Sequence, residues 1–161
     1  MIDMRRNYLV LWVILLLATL PVLGQSARHN NTKTDNIESS MENNRIKMTV
    51  GNRTFTVTLD GNSSCEALVK RLKQGNIIVR MDDYNDMEKV GPLGFSLPRN
   101  DRQNDTGPGD IILYQGNYLV IYYDNNSWNF TRLGKVDSVS SRNKMLELLG
   151  GKGEKSVILS L

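Results

Sequence analysis

The sequence predicts a mainly β domain, a small closed β-barrel with two short helices. Three observations favour this fold. Short apolar or alternating segments are separated by the turn pairs Gly51-Asn52 and Gly116-Asn117, which are typical of β-hairpins. Only two stretches space their apolar residues as a helix does. More than half of the aromatic residues fall within residues 110–134, where most of them can form the wall of a core.

Composition excludes several classes of function. The 161 residues suffice for one core, and the net charge of +3 is scattered, so no nucleic-acid partner is expected. Cys65 is the only cysteine and His29 the only histidine. Because His29 precedes the folded part, Ser-His-Asp and Cys-His catalysis and histidine-bound metals are excluded there. No cofactor is expected.

The first 24 residues have the pattern of an export signal. Arg5 and Arg6 precede a long apolar run, and the small residue Gly24 offers a cleavage position. We therefore expect an exported protein, either periplasmic or secreted. The alternative is an uncleaved membrane anchor, since the apolar run approaches the length of a membrane span.

A polar segment separates this signal from the folded part. Residues 25–44 contain almost no large apolar side chains and show no periodicity, which predicts a disordered tether. The folded domain is therefore expected at residues 45–161.

The domain opens with a hairpin around Gly51-Asn52. Pairing outward from this turn places Met48 opposite Phe55 and Ile46 opposite Val57. These four apolar side chains share one face, while the intervening residues are polar. The pattern predicts an antiparallel sheet with one face in water.

A helix is predicted next. Ser63 is the predicted N-cap with Glu66 as its capping-box partner, and Gly75 is the predicted stop. Cys65 and Leu68 recur on the apolar side. The Cys65 thiol is thus expected in the core, and without a nearby histidine it is not expected to act as a nucleophile.

Two strands and a long connection follow. Residues 77–81 predict one strand, and an acidic turn leads into the second. Residues 91–110 are predicted to form an irregular connection, because they hold every proline outside the signal. The connection ends in a tight turn at Gly107-Pro108-Gly109-Asp110.

The acidic turn is a candidate calcium site by composition. Its carboxylates are Asp82, Asp83, Asp86 and Glu88. Their spacing does not fit an EF-hand loop and lacks its central glycine. We interpret them as a solvated turn, and no metal is expected.

The aromatic-rich stretch predicts a second hairpin. A two-residue turn at Gly116-Asn117 pairs Tyr114 with Leu119 and Ile112 with Ile121. Both faces of this hairpin are apolar, so we expect it to lie centrally and to be covered on each side.

The next segment, SWNFTRL, alternates and predicts a strand beside this hairpin. With a three-residue turn, Trp128 lies opposite Tyr122 and Phe130 opposite Val120, unless a bulge shifts the register. In the same register Arg132 reaches the barrel rim.

The chain ends with a helix and a strand. A serine begins the helix and glycine ends it, with Met145, Leu148 and Leu149 facing inward. Residues 156–161 predict a last strand that pairs near the first and closes a barrel.

The domain resembles the bacterial cyclophilin-like domain family. The resembling segments, in chain order, are IKMTVGNRTFTVTL, EALVKRL, GPLGFSLP, GDIILYQGNYLVIYY and SWNFTRLGKV. The resemblance implies an eight-stranded barrel flanked by two helices. It implies little about function.

Cyclophilins themselves are prolyl isomerases, and their active site carries a Phe-His-Arg run that this chain lacks. Isomerisation needs no nucleophile, because the barrier of about 18 to 20 kcal/mol comes from amide resonance. A guanidinium that donates to the proline nitrogen could lower it, and Arg80 and Arg132 are the strand arginines suited to this role.

The function that we expect is a non-catalytic binding module for a peptide or a small apolar ligand. A weak peptidyl-prolyl isomerase is the alternative. Aromatic rims and nearby arginines supply the candidate ligand-binding residues. They are Arg80, Tyr84, Phe95, Tyr114, Trp128 and Arg132.

Overall fold

The computed structural model describes residues 44–161. The predicted export signal at residues 1–24, and all but the last residue of the predicted tether at residues 25–44, lie outside this range. The elements are β1 (Arg45–Val50), β2 (Arg53–Leu59), α1 (Ser63–Leu72), β3 (Ile77–Tyr84), β4 (Glu88–Pro92), β5 (Arg102–Thr106), β6 (Asp110–Tyr114), β7 (Tyr118–Tyr122), β8 (Asn126–Val136), α2 (Arg142–Leu148) and β9 (Lys155–Ser160). Neither of these helices has the length and hydrophobicity that a membrane span needs.

Eight antiparallel strands close into a barrel. The order is β2-β1-β9-β3-β4-β7-β6-β8, and β8 returns to pair with β2. The fifth strand, β5, pairs with the first half of β8 outside this ring. The predicted closed barrel of about eight strands with two helices is confirmed.

Closure depends on a glycine in β8. Gly134 lies opposite Leu59, and a Cβ at this position would sit 2.1 Å from the Thr58 carbonyl oxygen. No side chain fits so close to backbone, since real Cβ contacts exceed 3 Å. Only glycine lets the two strands approach closely enough to pair.

One apolar core fills the barrel and continues under both helices. Met48, Val57 and Val157 are fully buried on the inner face of their strands. The helices add Leu68 from α1 and Met145 from α2 to the same cluster. The helices therefore cover the barrel interior.

The first hairpin has the predicted register. Met48 pairs with Phe55 and Ile46 with Val57 across the Gly51-Asn52 turn. The predicted burial of Cys65 and Leu68 in α1 is also confirmed. The predicted cap is wrong, because Asn62 rather than Ser63 accepts the Cys65 backbone N–H, at 3.1 Å. Asparagine and serine cap equally well, and here they are adjacent.

The connection predicted as irregular contains β5. Residues Arg102–Thr106 pair with Asn126–Phe130 of β8. This strand has no apolar side chain, and only Thr106 in it is buried. It is held by backbone pairing at a sheet edge, so hydrophobic alternation gives no sign of it.

The second hairpin is shifted by one residue from the prediction. Tyr114 pairs with Tyr118 and Ile112 with Val120 across a three-residue loop. The left-handed positions are Gln115 (φ 52°) and Gly116 (φ 80°), one residue earlier than predicted. A shift of one residue exchanges the faces of a strand.

The predicted pairing of β8 with β7 is wrong. The free edge of β7 is taken by β4, with Glu88 opposite Tyr122. The eighth strand pairs instead with β6, where a bulge falls between Ile111 and Ile112. Each strand has two edges, so β4 and β6 leave none on β7 for β8.

The last two elements agree with their predictions. Ser141 caps α2, and Met145 and Leu149 are fully buried while Leu148 is partly so. The last strand pairs with β1 as predicted and also with β3.

We expect Gly134→Ala to destabilise the domain by about 2 to 3 kcal/mol, since the methyl group collides with the Thr58 carbonyl. Chemical denaturation measures the free energy of unfolding. Gly51→Ala is the matched control: it has φ 59° but nothing within 4 Å of its Cβ, and should cost only about 1 kcal/mol. Equal costs for the two variants would contradict the close approach at the closure.

Candidate functional site

The outer face of β4, β7, β6 and β8 holds a cavity of about 490 Å³. Its floor is made of Ile112, Val120 and Phe130, none more than 2% exposed. Val90 and Tyr122 lie beside them. Alternate residues of β6 and β7 point away from the barrel core, and no residue of α1 or α2 lines this face.

Three exposed aromatic side chains form the rim. Tyr84 comes from the end of β3, Tyr114 from the end of β6, and Trp128 from the first half of β8. Tyr84 and Trp128 are more than half exposed. The other large hydrophobic side chains exposed within residues 44–161 are Ile78 and Leu161. Exposed apolar surface is thus concentrated at this cavity, as at binding sites.

The β3–β4 turn positions one side of the rim. Asn85 and Asp86 both have positive φ, at 49° and 54°, which both residue types tolerate. The Asp86 carboxylate binds Arg142 at 3.0 Å and Lys152 at 2.6 Å. The turn sets Tyr84 directly opposite Glu88.

Tyr122 joins the apolar floor to the polar part of the cavity. Its ring lies 6.0 Å from that of Phe130, and its hydroxyl accepts a 2.8 Å hydrogen bond from the Asn126 amide. Burial, and next the neighbouring Glu88, raise the pKa of Tyr122. The hydroxyl therefore stays protonated at neutral pH.

Glu88 is the charged residue of the cavity. It is 7% exposed, and its Oε2 atom has no hydrogen-bond partner within residues 44–161. Burial raises the pKa of its carboxyl, while a hydrogen bond with Tyr122 acts in the opposite direction. Burying a carboxylate without a neighbouring cation lowers the stability of the folded state, so the position of Glu88 at the cavity calls for a functional explanation.

The adjacent lysine does not neutralise it. Lys89 is fully buried, and its Nζ donates to Asp83 and to the Gly153 carbonyl, both at 2.7 Å. Successive residues of a strand face opposite ways, so this ammonium lies on the other side of β4. Burial opposes ionisation of Asp83, but hydrogen bonds from Lys89 and Gly153 outweigh it and lower the pKa of that carboxyl.

The predicted site residues divide into two groups. Tyr84, Tyr114 and Trp128 come together around the cavity. Arg80 lies elsewhere, exposed on β3 opposite Ser156 of β9.

Phe95 and Arg132 also lie away from the cavity. The guanidinium of Arg71 covers the Phe95 ring, 4.5 Å from its centroid. The Arg132 side chain lies between Asp60, at 3.4 Å, and Asp110, at 3.0 Å. Its charge is already balanced within a polar cleft.

The acidic residues were predicted to form a solvated turn, and this prediction is wrong for Glu88. Glu88 was also not predicted as a site residue. The acidic neighbours suggested a solvated turn, whereas pairing on both edges of β4 buries this side chain. A signal was present, because Glu88 and Val90 are two residues apart and share a face with the apolar floor.

The surroundings of Cys65 indicate a structural role in the core. Its thiol is 2% exposed and donates to the Leu133 carbonyl at 3.1 Å. Burial raises its pKa, which disfavours the thiolate that a nucleophile requires. Within residues 44–161, no group of three metal-ligating side chains is placed to hold an ion.

Comparison with known families gives one match. The model described as the cyclophilin-like family covers residues 48–159, which is more than two thirds of the chain. Comparisons with curated proteins and with solved structures found no match. The matched range begins within β1 and ends within β9, so it includes all or part of each of the eight strands of the ring. The chain belongs to the cyclophilin-like family.

Proposed function

We propose that the domain is a non-catalytic binding module whose site is the aromatic cavity on the outer face of β4, β7, β6 and β8. The observation that carries this proposal is the convergence of Tyr84, Tyr114 and Trp128 over a buried apolar floor. The volume of about 490 Å³ falls in the range of small-molecule sites. A small ligand with apolar groups suits it.

The chemistry of the lining supports binding rather than catalysis. An isomerase of the kind considered above needs a guanidinium beside the apolar cavity, and neither Arg80 nor Arg132 lines it. The one cysteine, Cys65, lies on the buried side of α1 and does not line the cavity, so it supplies no nucleophile there. No observation on residues 44–161 favours the isomerase alternative.

We also propose that the domain acts outside the cytoplasm. The basic and apolar pattern of residues 1–24 supports export, and residues 25–44 supply a polar spacer. A ligand would then be met in the periplasm or in the medium.

We predict that the neutral dye Nile red binds the cavity and that Trp128→Ala weakens its affinity about tenfold, since about 1.4 kcal/mol of apolar contact is lost. Dye fluorescence measures the dissociation constant. Ile78→Ser is the matched control, because Ile78 is 64% exposed but lies in another cleft. Equal weakening by both variants would contradict the assignment of the site.

We predict that Glu88→Gln stabilises the domain by about 1 kcal/mol at neutral pH, because a buried charge with one unpaired oxygen is removed. The folded Glu88 keeps its proton to a higher pH than the unfolded chain does. Wild-type stability therefore falls as pH rises from the ordinary carboxyl pKa through the raised one.

Thermal unfolding from pH 3 to pH 8 measures this effect. The advantage of Glu88→Gln should grow with pH across that interval and vanish at its acid end. Ile78→Ser, which changes an exposed side chain of β3 that does not titrate, should differ from the wild type by the same amount at every pH. Glu88→Gln curves parallel to those of the wild type would show that the carboxyl is solvated.

A further inference from the structure

We propose that the natural ligand is a small organic cation, an inference that rests on the proposed function. The cation is a substituted ammonium whose positive nitrogen lies beside Glu88 within the aromatic rim. Two independent observations on the cavity support this assignment. One is the buried carboxylate of Glu88, whose Oε2 atom has no partner within residues 44–161, and the other is the ring of aromatic side chains around it.

The carboxylate of Glu88 indicates the sign of the ligand's charge. Glu88 is more than nine-tenths buried, lines the cavity, and has an Oε2 atom without a partner within residues 44–161. Of the residues within 44–161 that line the cavity, it is the only charged one. An anionic ligand would be repelled, and a neutral apolar one would bury the charge further without pairing it.

Within residues 44–161, no basic side chain pairs with Glu88 at this point. The nearest basic residue in sequence, Lys89, is bound to Asp83 and Gly153 on the opposite face of β4. Arg142 and Lys152 beyond the β3–β4 turn are bound to Asp86. The ionisable groups that share the cavity with Glu88 are the phenols Tyr84, Tyr114 and Tyr122. None of these carries a positive charge.

The aromatic shell suits the same ligand. Tyr84, Tyr114, Tyr122, Trp128 and Phe130 surround the space in front of Glu88. Aromatic rings attract cations through their quadrupole, and cages of such rings recognise quaternary ammonium groups. An ammonium with apolar substituents can therefore pair with the carboxylate and still fill an apolar cavity.

Choline and its neutral isostere 3,3-dimethyl-1-butanol test this inference, because the two have almost the same shape and differ in charge. The full chain carrying Trp12→Phe retains Trp128 as its one tryptophan, and Trp128 fluorescence reports binding at the rim. We expect choline to bind at least tenfold more tightly than the alcohol. Equal affinities would overturn the proposal.

Glu88→Gln supplies the second arm. It should weaken choline binding at least tenfold without weakening Nile red binding, because a neutral dye gains nothing from the carboxylate charge. Glu66→Gln lies outside the cavity and should alter neither. Unchanged choline affinity in Glu88→Gln would overturn the role of this carboxylate. Nile red binding without choline binding would reject the cation and keep the binding module, whereas loss of both probes in the parent chain would reject the site itself.

A third arm separates the two sources of an ammonium group. The peptide Gly-Lys-Gly, with blocked termini, presents a lysine side chain in place of a free small molecule. We expect it to bind more weakly than choline, because the volume in front of Glu88 suits a small ligand. Tighter binding of the peptide would overturn the assignment to a small molecule.

Discussion

The pairing of β2 with β8 is the constraint on which the rest of the structure depends. It closes eight strands into a ring, so that the ring has no free strand edge and encloses the apolar core. Gly134 makes the pairing sterically feasible. Once the ring is closed, the alternation of side chains decides which residues face the core and which face outward.

Outward-facing side chains of β6 and β7 form the floor of the cavity. Ile112 and Val120 lie on the face opposite the core, yet both are almost fully buried. The first half of β8 runs past the ring with β5 at its side, and its Trp128 and Phe130 enclose this outer face. The cavity therefore follows from the same strand that closes the barrel. Glu88 lies within it without a charged partner among residues 44–161, and buried ionisable groups of this kind are common at functional sites.

Sequence reasoning worked where a turn and an alternation agreed. The Gly51-Asn52 turn joins strands with one apolar face, so a single register satisfies both signals. In the second hairpin both faces are apolar, and alternation could not detect the one-residue shift caused by the left-handed Gln115. The polar β5 was not detectable for a related reason, since backbone pairing and polar side-chain hydrogen bonds, rather than apolar contacts, hold it to β8. The resemblance in the segments around these strands was nevertheless enough to predict the family and the closed barrel.

The site was predictable only in part. Aromatic crowding pointed to Tyr114 and Trp128, which do meet at the cavity together with Tyr84. Arginines on predicted strands are as easy to find in a sequence as aromatic residues. Strand pairing decides whether such an arginine reaches the cavity, and Arg132 instead pairs with Asp60 and Asp110. The burial of Glu88 depends on β4 lying between β3 and β7, which no local pattern specifies.

The most direct test of this account is the pKa of the Glu88 carboxyl, measured by carbon-13 NMR titration with and without choline. We expect the pKa to lie above the ordinary carboxyl range in the free protein, because of burial, and to fall on saturation with choline, because a neighbouring ammonium favours the carboxylate. An ordinary value in the free protein, or a value that choline leaves unchanged, would contradict it.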